Sequence, residues 1–340
     1  MIDKKSFFKI IEQFEDKKIV VWGDFILDEF IYTRTSRVSR EAPVIILKFE
    51  KKELDLGGAA NSIKNILELG GNPIPIGFIG KDSSGEKLKE LFSRKKIETK
   101  YLIEKNDYKT PTKTRILAGG EHTYKQQVLR IDYEAQWNMN KHDKECLIRN
   151  LKSALVKSDA LIISDYDYGN IPKSVSDLII NHAKKMKIPV SLDSRHRLLD
   201  FYGVTVATPN EPEVEECLKV FMGENEDKII KSGEFIMKKL GSPALLITRG
   251  YKGMILFQRN SKPLSIPVFG STDIVDVTGA GDTVISTFTL SLVSGGNFYQ
   301  SAILSNLAGG VVVMKKGAAT LTRNELKETV NKYVKTISSR

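Results

Sequence analysis

The stretch Asp276-Val277-Thr278-Gly279-Ala280-Gly281-Asp282 combines two features that phosphoryl transfer requires. Its glycines allow several backbone N–H groups to approach one anion. The apolar residues that follow have helical spacing, which predicts that Gly279, Ala280 and Gly281 lie at a helix N-terminus. The unpaired N–H groups and the dipole of such a terminus attract negative charge. The carboxylate of Asp282 could then take a proton from a hydroxyl while the pocket holds a phosphoryl group. The alternative is a tight turn in which Asp282 only caps the helix.

A second group of candidate residues lies near the start of the chain. Asp24 directly follows an apolar strand-like run, at the point where open α/β sheets place their ligands. Gly57 and Gly58 open a helical pattern that carries Asn61, and small residues permit the close approach of a ligand or another backbone. Because carboxylate and amide groups suit sugar hydroxyls, Asp24 and Asn61 are predicted substrate ligands. Packing alone would also explain the two glycines.

Two more strand ends carry polar residues. Asn210 and Glu213, three apart at a predicted strand-to-helix junction, can share one face and hold a hydrated Mg²⁺, which prefers one or two protein oxygens together with phosphates. A plain helix-start charge is the alternative for Glu213. Thr248, Arg249 and Gly250 follow another strand and could contact nucleotide phosphates. The sequence contains no GxxxxGK[ST] loop and no GxGxxG, so an ATP site here is neither a P-loop nor a dinucleotide fingerprint.

Short apolar runs alternate with helical patterns along most of the chain and must position these groups. Continuous apolar runs of this length are typical of strands buried on both faces, and the alternation predicts an α/β fold with a doubly wound, mostly parallel sheet and helices on both faces. The predicted strands are Ile19 to Trp22, Ile74 to Ile79, Ala160 to Ile163, Val190 to Leu192, Val204 to Ala207 and Ala244 to Ile247, and the predicted helices include Ser62 to Leu69, Glu86 to Phe92 and the stretch around Ser174 to Lys187.

Two segments break this pattern. Residues 30–53 and residues 112–134, the second with a predicted turn from Ala118 to Glu121, alternate apolar and polar residues without helical spacing, which indicates hairpin strands with one wet face. Together they could form a small β lid over the site that excludes water, or else a surface sheet without a role in the site. The strand around Val44 to Phe49, which has one solvent-exposed face, could also pair with a second subunit, so we expect a homodimer through the lid.

Composition limits the class of partner. The chain has 340 residues and a net charge of +10, but its charges are scattered, and no aromatic-interleaved basic stripe or nucleic-acid motif occurs. An anionic small molecule is therefore favoured over nucleic acid, although a lysine-rich surface explains the charge equally well. Only Cys146 and Cys217 are present, which fits a reducing compartment, and no apolar run approaches the length of a membrane span. We expect a cytoplasmic protein without a membrane partner.

The order of these motifs resembles the PfkB, or ribokinase-like, family of sugar kinases. The resemblance spans nearly the whole chain and implies one ribokinase-like kinase domain over residues 1–340 that uses ATP and Mg²⁺, and in some members K⁺, to phosphorylate a sugar hydroxyl. It makes Asp282 the base and the amides of Gly279 to Gly281 the anion hole. The remaining implied roles are sugar binding for Asp24, Gly57, Gly58 and Asn61, ATP binding for Asn210, Thr248, Arg249, Gly250, Gly253 and Asn306, Mg²⁺ binding through water for Asn210 and Glu213, and a monovalent cation at Asp276.

Within that family, the chain is most similar to the kinase domain of ADP-heptose synthesis, which phosphorylates the anomeric hydroxyl of D-glycero-β-D-manno-heptose 7-phosphate. The segments that carry this similarity are residues 38–44, 112–115, 129–132, 164–166 and 275–283. Arg40 and Ser194 depart from it, because those kinases usually have proline at both places. The bifunctional members continue into a nucleotidyltransferase domain with an HxGH motif; residues 1–340 contain no HxGH, so we expect no such activity from this chain.

A phosphorylated substrate would explain the excess of basic over acidic residues. Arg115 and Arg130 are predicted to bind the phosphate of the sugar, and Arg195 and Arg197 are further candidates, since a guanidinium group can bind phosphate through two hydrogen bonds. Each of them could equally be an ordinary surface arginine. The remaining alternatives are a kinase for another sugar, sugar phosphate or nucleoside, and a sugar-binding regulatory protein that keeps the fold without turnover.

Overall fold

The centre of the protein is a nine-stranded sheet. The computed structural model describes residues 4–120, 125–134, 137–223, 225–270 and 275–338. Within these ranges the sheet consists of β1 (Lys18–Gly23), β4 (Asn72–Gly80), β5 (Leu102–Lys105), β8 (Ala160–Asp165), β9 (Val190–Ser194), β10 (Val206–Ala207), β11 (Ala244–Thr248), β12 (Met254–Gln258) and β13 (Leu264–Ile266). Their order is β13-β12-β11-β10-β9-β8-β1-β4-β5, and only β12 and β13 run antiparallel to their neighbours.

A separate four-stranded sheet contains the two segments that break the alternation, and its first two strands extend beyond residues 30–53, from Phe25 to Gly58. Its strands are β2 (Phe25–Val38), β3 (Ile45–Gly58), β6 (Thr112–Gly119) and β7 (Gln126–Tyr133), in the order β3-β2-β6-β7. We call it the lid. The predicted turn from Ala118 to Glu121 lies partly outside the described residues. Because β3 ends at Gly58, where the next helix starts, the lid is joined directly to the main sheet and its helices.

Helices cover both faces of the main sheet. They are α1 (Lys4–Glu12), α2 (Ala59–Glu68), α3 (Ser83–Arg94), α4 (Lys141–Leu155), α5 (Lys173–Lys185), α6 (Glu211–Leu218), α7 (Glu226–Leu240), α8 (Ala280–Val293), α9 (Phe298–Val312) and α10 (Arg323–Ser338). Along β1, Ile19 and Val21 belong to one buried cluster and Val20 and Trp22 to another. The first cluster contains residues of α2, α8 and α9, and the second contains residues of α4, α5 and α7. The predicted doubly wound α/β architecture is therefore confirmed.

The parallel strands of the sheet all end at one edge. Asp24 follows β1, Tyr166 follows β8, Asp193 lies near the end of β9, Asn210 follows β10 and Arg249 follows β11. Of these residues, Tyr166, Asp193, Asn210 and Arg249 meet beside the N-terminus of α8. In the part of the chain that the structure describes, no helix is both long and apolar enough to cross a membrane.

Candidate active site

Asp282 lies in the first turn of α8 and is almost completely buried, with 5% of its surface exposed. Its Oδ2 accepts a hydrogen bond from Asn61 Nδ2 at 2.8 Å, and its Oδ1 accepts one from Ser62 Oγ at 3.1 Å and a longer one from the Tyr166 hydroxyl at 3.4 Å. Burial raises the pKa of Asp282 to about 6, although the hydrogen bonds from Asn61 and Ser62 lower it. The carboxylate is therefore fixed in direction and is a better base than an exposed aspartate.

The glycines before Asp282 have different functions in the fold. Gly279 is the N-cap of α8 with a φ of 77°, and a Cβ atom there would lie 2.4 Å from Asn61 Nδ2. At Gly281 the nearest atom to an added Cβ would be Asp193 Oδ2 at 3.9 Å, so its backbone lies open to the cavity. The Ala280 N–H donates to the Val277 carbonyl at 3.2 Å. Gly281 and Asp282 thus supply the first-turn N–H groups best placed for an anion, because a helix offers these groups no acceptor of its own.

A cavity of about 620 Å³ opens beside this helix start. That volume is typical of a site for a nucleotide-sized ligand. Its lining brings together the predicted base, the glycines and all the residues predicted to bind ATP, namely Gly279, Ala280, Gly281, Asp282, Asn210, Thr248, Arg249, Gly250, Gly253 and Asn306, together with Glu213.

Several of these lining residues are already engaged by protein groups. Arg249 Nε donates to Glu211 Oε1 at 2.6 Å, and Asn306 Nδ2 donates to the Pro267 carbonyl at 2.8 Å. Gly253 has a φ of 83°, and a Cβ there would lie 2.1 Å from the Ile266 carbonyl oxygen, so this glycine is needed by the turn itself. Gly250 has open space around it. Of this group, Gly250 thus leaves the most backbone accessible to a ligand.

Two carboxylates, Asp193 and Glu213, face the same space. Burial raises the pKa of Glu213 to about 7, and burial together with the charge of Glu213 raises that of Asp193 well above its usual range. Glu213 also forms a capping box with Asn210, since Asn210 Oδ1 accepts from the Glu213 N–H and Glu213 Oε2 from the Asn210 N–H, both at 2.9 Å. Both predicted functions of Glu213 are therefore geometrically compatible.

This donor set fits a hydrated Mg²⁺. Neighbouring carboxylates with raised pKa values repel each other when ionised, and a bound cation would reduce this repulsion. Mg²⁺ usually takes one or two protein oxygens and keeps several waters. Within the described ranges, no group of three or more His, Cys, Asp or Glu side chains forms a metal centre.

Asn61 contacts the base, but neither it nor Asp24, Gly57, Gly58, Arg115, Arg130 or Asp276 belongs to the lining of this cavity. Asp24 is fully buried, and its carboxylate accepts hydrogen bonds from the backbone N–H groups of Tyr166 at 2.8 Å and of Tyr168 and Asn170 at 3.3 Å. It holds the loop after β8 rather than facing a ligand. Arg130 lies on the outer lid strand β7 and pairs with Asp132 at 2.8 Å. Both carboxylate oxygens of Asp276 accept backbone N–H groups, from Thr278 at 2.9 Å and Gly317 at 3.0 Å.

Asp28 is a site residue that our sequence analysis missed. It lies buried on β2, where Arg115 Nη1 donates to its Oδ1 at 2.7 Å. A Cβ at Gly57 would lie 2.6 Å from Asp28 Oδ2, so the glycine permits the close approach of this carboxylate. The negative charge of Asp28 raises the pKa of Asp282, which places it near the base. The available signal was a charged residue among the apolar residues that begin the lid strand.

A larger cleft, of about 750 Å³, lies between the lid and α3 and contains none of the predicted site residues. Its lining is rich in lysine, but Lys64 pairs with Asp55 at 2.7 Å, Arg94 with Glu90 at 2.5 Å and Lys95 with Glu68 at 3.0 Å. We therefore place the chemistry at the start of α8.

Solved structures share this architecture. Ribokinase of Arabidopsis thaliana, complexed with ribose and ATP, superimposes with a TM-score of 0.70 at 20% sequence identity, over 92% of this chain and 98% of its own. Phosphofructokinase-2 of Escherichia coli, in complex with potassium, gives a TM-score of 0.72 at 16% identity, over 94% of this chain and 99% of its own. The ribokinase-like fold is therefore confirmed.

Sequence relatives are more similar still. The bifunctional protein HldE of Haemophilus influenzae (strain PittEE) is 37% identical over 320 residues, which are 94% of this chain and 64% of that protein. HldE of Vibrio atlanticus is 35% identical over 95% of this chain and 65% of its own length. This chain thus spans about two thirds of these relatives. A family model described as pfkB family carbohydrate kinase matches residues 16–325, and the chain therefore belongs to this family of sugar phosphotransferases.

Proposed function

We propose that this protein transfers the γ-phosphoryl group of ATP to the anomeric hydroxyl of D-glycero-β-D-manno-heptose 7-phosphate and so forms the 1,7-bisphosphate, a precursor of ADP-heptose. The observation that carries the proposal is the buried Asp282 carboxylate at the start of α8, beside a cavity of nucleotide size. The choice of sugar rests on membership of the carbohydrate kinase family, on the HldE relatives and on the lid segments 38–44 and 112–115.

The proposed chemistry starts with the sugar hydroxyl next to Asp282. As the hydroxyl attacks the γ-phosphorus in line, Asp282 takes its proton, and the first-turn N–H groups of α8 stabilise the charge on the transferring group. Asn61 and Ser62 orient the base through their hydrogen bonds. Mg²⁺, held through water near Asn210 and Glu213, would neutralise charge on the phosphates of ATP.

The sugar is proposed to lie between the lid and α2. Asn61 Oδ1 is buried and has no hydrogen-bond partner within the part of the chain that is described, so it is available to a sugar hydroxyl. Gly57 and Gly58 keep the backbone close to this place, and Asp28 with Arg115 forms its lid side. ATP is proposed to occupy the 620 Å³ cavity. The geometry gives no support to direct sugar binding by Asp24 or Arg130.

An ATP-consumption screen across sugars and sugar phosphates tests the proposed function. We expect ADP release with heptose 7-phosphate at a catalytic efficiency well above that with unphosphorylated sugars. A higher efficiency with another sugar, sugar phosphate or nucleoside would reassign the substrate within the family. Sugar binding without ADP release from any substrate would favour a regulatory protein.

Replacing Glu213 by Gln tests the metal proposal without removing the helix cap. Glutamine can serve at the third position of a capping box, so α6 should keep its start while one negative charge is lost. We expect the Mg²⁺ concentration for half-maximal activity to rise about tenfold, as one charge-assisted contact is lost, with an unchanged Tm. An unchanged Mg²⁺ dependence would remove Glu213 from the metal site.

A monovalent cation, K⁺, is proposed beside Asp276. Asp276 supplies one negative ligand near the loop that precedes α8, and it contacts the Gly317 backbone from a second loop. Phosphofructokinase-2 of E. coli, which shares the fold, was solved in complex with potassium. A cation there would act on the site through the Asp276-to-Asp282 segment.

A homodimer through the lid is part of the same proposal. The lid exposes large apolar side chains on β2, β3 and the turn between them, with Val38 63%, Val44 55%, Ile45 60% and Phe49 66% exposed. Apolar side chains grouped on one exposed sheet favour burial against a second copy. Sedimentation analysis should give a dimer that Phe49→Lys converts to a monomer, and a monomeric unmodified protein would contradict the proposal.

A further inference from the structure

Lys113 and Lys64 are the lysines of the described part of the chain that are buried, with 8% and 6% exposed. The ammonium group of Lys64 has hydrogen-bond partners, because its Nζ donates to Asp55 Oδ2 and to the Ala318 carbonyl, both at 2.7 Å. Among the described residues, no carboxylate lies within ion-pair distance of Lys113. Its ammonium lies over the Tyr166 ring, 5.2 Å from the centroid. A buried charge is normally paired, so Lys113 needs a different explanation.

A second cation lies nearby. Arg195 shares a cavity lining with Tyr166, whose ring Lys113 contacts. Burial, and after it the charge of Arg195, lowers the pKa of Lys113. Arg195 lines a cavity of about 290 Å³ that adjoins the nucleotide-sized cavity, since both are lined by Tyr166, Asp193 and Glu213. No ion pair of Arg195 with a described residue is seen either. Lys113 and Arg195 thus both lie beside Tyr166. The charges of Asp28 and Asp132 act on Lys113, but neither carboxylate forms an ion pair with it.

The other arginines considered as phosphate ligands are already paired. Arg115 Nη1 lies 2.7 Å from Asp28 Oδ1, and Arg130 pairs with Asp132 on its own strand. Arg197 contacts Asp165 at 2.5 Å and Asp167 at 3.0 Å. A phosphate group would have to compete with these carboxylates. Lys113 and Arg195 form no such ion pair with a described residue, although Asp193, Glu213 and Glu216 line the same cavity as Arg195.

We propose that Lys113 and Arg195 together bind the phosphate group that the sugar substrate already carries; this inference rests on the proposed function. Lys113 belongs to lid strand β6 and Arg195 follows β9 of the main sheet, so a phosphate dianion between them would join the lid to the body of the protein. Tyr166 links this place to the chemistry, because its ring contacts Lys113 and its hydroxyl donates to Asp282. An unphosphorylated sugar would form no contact with these two cations, which gives selectivity for sugar phosphates.

The test compares Lys113→Met and Arg195→Gln with the unmodified protein, using D-glycero-β-D-manno-heptose 7-phosphate and the unphosphorylated heptose. Each variant should raise the KM for the phosphorylated sugar about 10- to 100-fold, the usual effect of one lost charge-assisted contact, while KM for ATP and the efficiency with the unphosphorylated heptose stay unchanged. Lys113→Arg should recover much of the affinity. Lys51→Met, which removes an exposed lid lysine paired with Glu53, is the matched control.

Thermal unfolding separates binding from a structural role. Lys113→Met removes an unpaired buried charge and should keep or raise the Tm, whereas Lys64→Met leaves Asp55 without its partner and should lower it. A rise in KM for ATP alone would assign the pair to the nucleotide and overturn the inference. So would variants that keep the preference for the phosphorylated sugar. If the unmodified protein does not phosphorylate heptose 7-phosphate at all, the proposed function itself fails.

Discussion

Replacing Asp282 by Asn is expected to lower kcat by at least about 100-fold, the lower end of the usual contribution of general base catalysis. The asparagine can still accept a hydrogen bond from Asn61 through its amide oxygen, but it cannot take a proton from the sugar hydroxyl. KM for ATP should not change, because the helix start and the cavity stay intact. Steady-state kinetics with heptose 7-phosphate measure both constants, and near-normal turnover would remove Asp282 from the mechanism.

The pH profile and the stability of this variant provide independent checks. With a pKa of about 6, Asp282 is protonated below that pH and cannot act as a base, so kcat of the unmodified protein should fall about tenfold per pH unit there. The variant should lack this limb. Folding raises the pKa of Asp282 from 3.8 to about 6. The ionised carboxylate therefore lowers the free energy of unfolding by about 3 kcal/mol at neutral pH, and this cost disappears as the pH falls toward 4. The Tm of the variant at pH 7 should therefore be unchanged or higher.

Replacing Gly279 by Ala should lower kcat about 100-fold through Asn61. The left-handed φ of 77° costs a non-glycine residue about 1–2 kcal/mol, and the new Cβ would lie only 2.4 Å from Asn61 Nδ2. Asn61 must then move, and the direction of Asp282 changes with it. A displacement of about 1 Å at a catalytic group can cost about 10²-fold in rate.

The opposite end of α8 provides the control for this substitution. Gly295 has a φ of 88°, but an added Cβ would have its nearest neighbour, Gln13 Oε1, at 3.9 Å. Gly295→Ala therefore carries the backbone strain without the collision and should lose stability while keeping kcat. A kcat of Gly279→Ala as high as that of Gly295→Ala would show that the contact with Asn61 does not govern the rate.

The central strands could be predicted because burial on both faces produces uninterrupted apolar runs, as in Ile19 to Trp22 and Ala160 to Ile163. Edge strands need not be buried on both faces, so their sequences need not be continuously apolar. Strand β5, Leu102–Lys105, is half polar, and β13, Leu264–Ile266, has only three residues, so local sequence does not separate them from loops. Strand β12, Met254–Gln258, carried the same apolar signal as the central strands, but our prediction did not include it.

In the candidate site, the sequence located backbone positions better than side-chain directions. Asp24 does lie at a strand end, as predicted, but its carboxylate turns toward the amides of the loop after β8, which the strand-end rule does not specify. Lys113 was visible only as one charge in an alternating strand. Its burial and missing counter-ion depend on how the lid rests on Tyr166, which is a tertiary property.

The hydrogen bond between Asn61 and Asp282 joins residues 221 positions apart, and this separation has a consequence for the nascent chain. All the strands of the described part precede residue 267, whereas α8 and α9 come afterwards. Because synthesis runs from the N-terminus, a chain that has left the ribosome up to β13 already contains its sheets but not its base. Until α8 and α9 have been synthesised, these two helices do not cover the sheet face that carries Ile19 and Val21. A partly synthesised chain therefore cannot transfer a phosphoryl group, and it exposes an apolar surface of the kind that chaperones bind.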